Sequence, residues 1–367
     1  MLRRPALIVC ALGALACSGD ATPIQIATAG PWSESFGLMN KRGIDLALEE
    51  INAQGGVRGR PLRALVRDDQ ADGSRAASIA GELLANRDVI GVVGHVTSGA
   101  MMAAARVYDG GLPAIATTAS TPDLSGISPW VFRVISSDSA NGITIARFVT
   151  SVGARRAAIL YENNSYGRGL AEAFRRSFAG QVITIDPIPS DARADYEPYV
   201  SWLRTRAPDV VFVAGTDGSG LGILRAARRV GLTSRFIGGD GWASIVSDTV
   251  AAEGAYVATP FTAQDPRATA QRFVAAFRAR YQLEPDGNAA LAYDATMLLA
   301  RAIEEAGPSR TKVRDWLATL DEREPFAGVT GPISFHESGD VVGKGVVVTR
   351  VRAGAMLVER ASAGAGS

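Results

Sequence analysis

Short apolar runs, β-branched and unbroken by charge, recur along this chain, and each leads into a longer stretch whose apolar residues repeat with helical spacing. Val89-Ile90-Gly91-Val92-Val93-Gly94 is the clearest run and reads as a strand buried on both faces of a parallel sheet. Strands that alternate with helices must run parallel, which restricts the chain to the α/β class. The first strand is Pro23 to Gly30. The helix after it carries the stripe Leu38, Ile44, Leu46, Ala47 and Ile51, and Gln54-Gly55-Gly56 ends it as glycine ends helices. A strand from Leu62 to Val66, a turn over Asp68 to Gly73 and a helix from Ser74 to Leu84 continue the pattern. Ser136-Ser137-Asp138-Ser139 then breaks it, and Ala157 to Tyr161 restarts it. At 367 residues the chain exceeds the usual ~100–200 of one domain. Two doubly wound parallel-sheet lobes are expected, with late strands over Gly328–Phe335 and Gly345–Arg352 pairing with each other.

Function is expected in the stretch Gly94 to Leu124, where two apolar runs each end in a cluster of hydroxyl residues. In open α/β sheets ligands sit beyond the carboxyl ends of strands, where loops and helix amino termini present N–H groups. Ser98 and Ser120 would face the same crevice. Ser98 also suits a helix N-cap, and Thr121-Pro122 suits a cap followed by proline at the first helical position. Cap and ligand contact are compatible, so both readings stand. Asp240, flanked by Gly239 and Gly241 after a short apolar run, is either a turn residue or a carboxylate aimed into a cleft, since an unpaired buried carboxylate is costly. The acid-rich turn at Asp68, Asp69 and Asp72 lacks the glycine and terminal glutamate of a calcium loop and reads as a solvated turn.

Several function classes fall away. A formal charge of +1 gives no basic surface for nucleic acid. His95 and His336 are the only histidines and have no acid or cysteine beside them at metal-ligand spacing, so no metal site is expected. Gly218 and Gly220 begin a dinucleotide fingerprint, but Ile223 stands where its third glycine belongs, and neither a phosphate loop nor a nucleophile elbow occurs. Without such a constellation an enzyme, and any cofactor, are not expected. At the amino terminus Arg3-Arg4, the apolar Pro5 to Ala16 and the small-residue end Ala14-Leu15-Ala16 read as a secretory signal over residues 1–16. Cys17 follows directly, in a setting that resembles a bacterial lipobox; lipidation at Cys17 and simple cleavage before it are the two outcomes. Cys10 lies within the signal, so the mature chain holds no disulfide.

The segments IDLALEEINAQGGVRGRPL, VRDDQADGS, VIGVVGHVTSGA, AIATTASTPDLSG, VFRVISSD, YENNSYGRGLAEAF, PDVVFVAGTDGSGLGILRAARRVGL, LAYDATMLLARAIEEAG and FAGVTGPISFHESGD together resemble periplasmic substrate-binding proteins of the branched-chain amino acid uptake type. The resemblance runs from Ile24 to about Val358. It implies the type I binding-protein fold, two lobes joined by a three-segment hinge: residues 22–138 with 261–334, and 139–260 with 335–361, leaving 362–367 as a mobile tail. It also implies a monomer outside the cytoplasmic membrane, held there only through a lipid anchor, that closes on an amino acid or close analogue and delivers it to an ABC transporter permease. A sensor on the same fold, or a binder of a small carboxylic acid or amide, are the alternatives. Carried over residue by residue, Ser98, Ala119 and Ser120 hold the ligand carboxylate, the Thr118 carbonyl and Asp240 meet the ammonium, and Tyr166 forms an aromatic wall. Thr216 stands where branched-chain binders carry tyrosine, and the first loop offers Trp32 and Phe36 with no tyrosine, so the side-chain pocket departs from the pattern.

Overall fold

The computed structural model describes residues 22–191 and 193–359; the expected leader, Cys17 and the tail from 362 lie outside them. The chain opens with β1 (Ile24–Gly30), α1 (Ser35–Ala53), β2 (Leu62–Asp68), α2 (Gly73–Ala85), β3 (Val89–Gly94), α3 (Ser98–Tyr108), β4 (Ala114–Ala116) and β5 (Val131–Arg133). Its strands form one parallel sheet in the order β2-β1-β3-β4-β5. After a crossing come α4 (Asp138–Ser151), β6 (Arg156–Glu162), α5 (Ser165–Ser177), β7 (Gln181–Ile188), α6 (Glu197–Arg206), β8 (Val210–Ala214), α7 (Asp217–Val230), β9 (Arg235–Gly238), α8 (Thr249–Ala252) and β10 (Tyr256–Thr259). The chain then returns to the first lobe as α9 (Ala268–Tyr281), α10 (Gly287–Ala306), α11 (Arg310–Ala318), β11 (Phe326–Gly328) and β12 (Gly331–Ile333), and ends in the second with β13 (Val347–Arg352) and β14 (Ala355–Val358). The second sheet runs β14-β13-β10-β9-β8-β6-β7.

Both sheets are buried on two faces, as charge-free runs require. In β8, Val211 and Val213 pack into one core cluster while Val210, Phe212 and Ala214 pack into another. Along β1, Ile24 and Ile26 join one cluster, and Ala27 and Ala29 the next. Alternate residues thus point to opposite faces. Helix α10 starts where the Asp286 side chain accepts from Ala289 N at 3.0 Å, and its Leu291, Leu298 and Leu299 pack with Ile44 of α1 and Val93 of β3.

The structure corrects the late strands. β11 and β12 form a hairpin with each other, whereas β13 pairs antiparallel with β10 and with β14. The third crossing separates them: Phe335 and Val341 still pack in the first lobe's core, while Val346 and Val348 lie in the second's. The chain therefore changes lobes between Val341 and Val346 rather than at 335.

The acid-rich turn is not simply solvated either. Asp69 is fully buried, and its carboxylate meets His95 Nδ1 at 2.6 Å, while His95 Nε2 contacts the Tyr108 hydroxyl at 3.0 Å. This chain of contacts ties the β2–α2 turn to the exit of β3 and to α3. Burial, then the Asp69 carboxylate, pushes the Tyr108 hydroxyl up. Gly94 makes the exit possible: it takes φ +117, and a Cβ there would stand 2.1 Å from the Ala29 carbonyl oxygen. Of the other two acids, Asp72 caps α2 by accepting from Arg75 N at 2.7 Å. Removing one member of a buried, hydrogen-bonded pair leaves its partner unpaired, so Asp69→Ala is expected to destabilise the protein by about 3 kcal/mol. Asp68→Ala, at a half-buried position where the carboxylate accepts from Gln70 N at 3.0 Å, is expected to cost less, about 1 kcal/mol. Urea denaturation of the two variants beside the parent measures both.

Candidate functional site

A cavity of about 360 Å³ lies between the lobes, beyond the carboxyl ends of β3 and β4 on one side and of β6, β8 and β9 on the other. From the first lobe it is lined by Phe36 and Glu34 at the start of α1, by Val96, Thr97, Ser98 and Gly99, by Thr118, by Ala71 and by Asn288. Helix α3 begins at Ser98, with Thr97 at the cap position and no side-chain capping bond. Ser98 is thus not the N-cap, whereas Thr121 does stand at the cap position ahead of Pro122 at the start of a short 3₁₀ turn, without a side-chain capping bond. The first backbone bond of α3 runs from Met101 N to Thr97 O, so the N–H groups of Ser98 and Gly99 precede the helical ladder. Ser98 Oγ accepts from Thr121 N at 3.3 Å, which leaves its O–H to donate. Thr118 spends its own hydroxyl proton on Val96 O at 2.9 Å. This wall offers hydrogen-bond donors at the positive end of a helix, a setting that suits an anion.

The second lobe presents the opposite character. Tyr166 donates its hydroxyl to Asp240 Oδ1 at 3.1 Å and accepts from Gly241 N at 2.9 Å, which pins the acid at the exit of β9. Only glycine fits beside it, since a Cβ on Gly241 would lie 2.6 Å from the Gly215 carbonyl oxygen. Asp240 is 9% exposed, and burial pushes its carboxyl up to about 6. Next along the sheet edge, Glu162 Oε1 accepts from Thr216 N at 2.8 Å, Thr216 Oγ1 at 2.7 Å and Ser219 Oγ at 2.8 Å. Its other oxygen accepts from Asn164 Nδ2 at 3.0 Å. Ser190 completes this side.

Of the residues expected from sequence, Phe36, Ser98, Thr118, Tyr166, Thr216 and Asp240 line the cavity together. Ala119 and Ser120 are fully buried behind the wall, and Ser120 Oγ has no partner among the described residues. Trp32 turns away: its Nε1 donates to Arg67 O at 2.7 Å and its ring packs on the first lobe's core. Sequence reasoning missed Glu162 and Asn164, although Glu162 closes an apolar strand just as the Ser98 stretch does. It also missed what holds the Thr118–Thr121 loop. Buried Arg133 donates to Thr121 O at 2.8 Å and Ser125 Oγ at 2.8 Å and pairs with Asp340 at 2.7 Å. Asp138, at the first crossing, is buried with both carboxylate oxygens unpartnered among the described residues. Burial, reinforced by the nearby Asp240 charge, raises its carboxyl well above the usual range. Two hydrogen bonds bridge the lobes beside the cavity, Ser35 Oγ to Asp217 Oδ2 at 2.8 Å and Ser244 Oγ to Asp286 Oδ2 at 3.0 Å.

Residues 23–355 match the family model described as periplasmic binding protein. A leucine-, isoleucine-, valine-, threonine-, and alanine-binding protein of Pseudomonas aeruginosa is 30% identical over 334 residues, covering 88% of each chain. Among solved structures, the branched-chain amino acid transporter substrate binding protein LivJ from Streptococcus pneumoniae in complex with isoleucine superposes with a TM-score of 0.84 at 28% identity, covering 92% of this chain and 99% of that one. A solute binding protein from R. palustris in complex with benzoate shares the fold at 20% identity, with a TM-score of 0.82 and coverage of 92% and 95%.

The raised carboxyl of Asp240 fixes the sign of a pH effect on the ligand-free protein. Its folded value of about 6 lies above the ordinary 3.8, so the folded state holds the proton more tightly. Stability from this group is complete below about pH 4 and is lost as pH rises through 6, by about 2–3 kcal/mol at pH 7. Asp240→Asn is expected to be more stable than the parent at pH 7 and equal to it near pH 4. Asp138 carries the same sign, so the slope shrinks without vanishing. Ligand-free urea melts between pH 4 and 8 for parent and variant give the comparison.

Proposed function

Because the chain belongs to the periplasmic binding protein family, whose members bind solutes rather than catalyse reactions, we propose that it captures an α-amino acid or close analogue between its lobes and delivers it to an ABC importer. One observation carries this reading: an acceptor, Asp240, and a set of donors at the start of α3 line one cavity from opposite lobes. An α-amino acid holds an anion and a cation on neighbouring atoms and needs both kinds of group. The α3 N–H groups and the Ser98 hydroxyl suit the carboxylate. Asp240 suits the ammonium, for one of its oxygens takes the Tyr166 proton and the carboxyl group still faces the cavity. The relatives named for branched-chain amino acids support an amino acid over other solutes.

Removing one member of a buried, hydrogen-bonded charge pair costs about 2–5 kcal/mol, so Asp240→Asn is expected to weaken amino acid binding by roughly 30-fold to several thousand-fold. Ser98→Ala removes one donor among several and is expected to cost about 1–3 kcal/mol. Parent affinity is also expected to fall as pH drops below 6, where Asp240 takes up its own proton. Calorimetry with an amino acid and its deaminated acid tests the reading. Equal affinity of parent and Asp240→Asn for the amino acid would remove Asp240 from the site, and a parent that prefers the deaminated acid would replace the amino acid class with a plain carboxylate.

Cys17 is proposed to carry lipid that holds the protein outside the cytoplasmic membrane. Two or more acyl chains anchor stably where one does not. In fractionated cells the full chain should partition with membranes and Cys17→Ala should appear in the soluble fraction; an equal distribution of the two discards the anchor.

A further inference from the structure

The half of the cavity beyond Asp240 is built for hydrogen-bond donors. β9, β8 and β6 are neighbours in the second sheet, and Asp240, Thr216 and Glu162 follow or end them in that order. Adjacent strands lie about 4.8 Å apart, so Glu162 stands two strand spacings along the edge from the acid that meets the ammonium. Thr216 gives its hydroxyl proton to Glu162 and so turns only lone pairs toward the cavity. Asn164 spends one amide hydrogen on Glu162, and its carbonyl oxygen accepts from Gly167 N at 2.9 Å. All four hydrogen bonds to Glu162 come from neutral donors, although it is 1% exposed. Among the described residues that line the cavity there is no lysine, arginine or histidine.

Resting on the amino acid reading above, we infer that the ligand's side chain is a long aliphatic stem ending in a cation, with the stem along Phe36 and Val96 and the cationic head between Thr216 and Glu162. A buried carboxylate without a cation is costly, and a ligand that brings one relieves the cost only when bound. A branched apolar side chain would instead desolvate the Thr216 lone pairs, leave Glu162 without a cation and return nothing to either. A carboxylate at this end would face the Glu162 carboxylate and the Thr216 lone pairs with no protein cation among the described lining residues to offset them.

Calorimetry on the full chain with L-lysine, L-arginine, L-ornithine, L-glutamine and L-leucine reads the inference directly. At least one of the three cationic amino acids is expected to bind 10-fold or more tightly than leucine and more tightly than glutamine. Glu162→Gln is expected to cut that preference over leucine at least 10-fold, through a loss of affinity for the cationic amino acid. Thr216→Val, which keeps the shape of the wall, should reduce the same preference and guards against a Glu162 variant that folds poorly. Leucine binding as tightly as every cationic amino acid overturns the inference alone, and glutamine matching them removes the charge from it. Failure of the underlying reading looks different: 6-aminohexanoic acid, which lacks the α-ammonium, would then bind as well as lysine.

Discussion

The structure depends on keeping a carboxylate, Asp240, out of water at the edge of a sheet without giving it a cation. Its surroundings follow from that requirement. Tyr166 reaches over it to donate one hydrogen bond, and glycines stand on either side because Gly215 and Leu170 press too close for a side chain. Burial raises the acid toward 6, against the hydrogen bond from Tyr166. Asp138 behind it is raised by the same burial and by the charge of Asp240. Two acids with raised values at the meeting of two lobes are a functional-site signature, and on the proposed function they favour a ligand that brings positive charge.

Around the crossings the same problem is solved with cations from the chain itself. Arg133 pairs with Asp340 through the bridge that β5 forms with the third crossing. Lys344, farther along that crossing, donates to Val134 O at 3.3 Å and to the Thr330 hydroxyl. Burial lowers the Lys344 amine to about 8, with Asp294 opposing the shift. Asp294 in turn accepts from Val329 N at 2.7 Å and Thr330 N at 2.9 Å. The first and third crossings are thereby tied to each other and to the first lobe. At Arg133–Asp340 and at Lys344 beside Asp294 the chain supplies the counter-charge; among the described residues that line the cavity it supplies none.

The alternation of strand and helix was legible because it is local: a run such as Val89 to Gly94 declares its burial in its own composition, and the carboxyl ends of such runs are where Ser98, Thr118, Thr216 and Asp240 stand. What could not be read depends on partners distant in sequence. Asp69 looks like a turn acid until His95, 26 residues on, is placed beside it. Gly328 to Phe335 and Gly345 to Arg352 look like a hairpin because the residues between them are short and polar, yet Phe335 and Val341 bury their side chains in the first lobe and send the next strand to the other sheet. Glu162 hid for a different reason. Charge at the end of a strand reads as the start of a loop, and only the donors of Thr216, Ser219 and Asn164 mark it as buried.

On the proposed function, the opposed walls explain why closure should wait for ligand. The bonds that bridge the lobes, Ser35 to Asp217 and Ser244 to Asp286, each join a hydroxyl to an acid, and burial raises both acids above their ordinary values. Closing an empty cleft would, on the same reading, bury Asp217 and Asp286 and gain only two hydrogen bonds from neutral hydroxyls in return. A ligand shifts the lobes only by the difference between its affinities for their open and closed arrangements. On the proposed function, a zwitterion bridging α3 to Asp240 would supply that difference, because its carboxylate would touch one lobe and its ammonium the other. An anion alone would rest on the α3 donors with nothing to offer the acids opposite. On that reading selectivity and closure share one cause: among the described residues that line the cavity there is no cation.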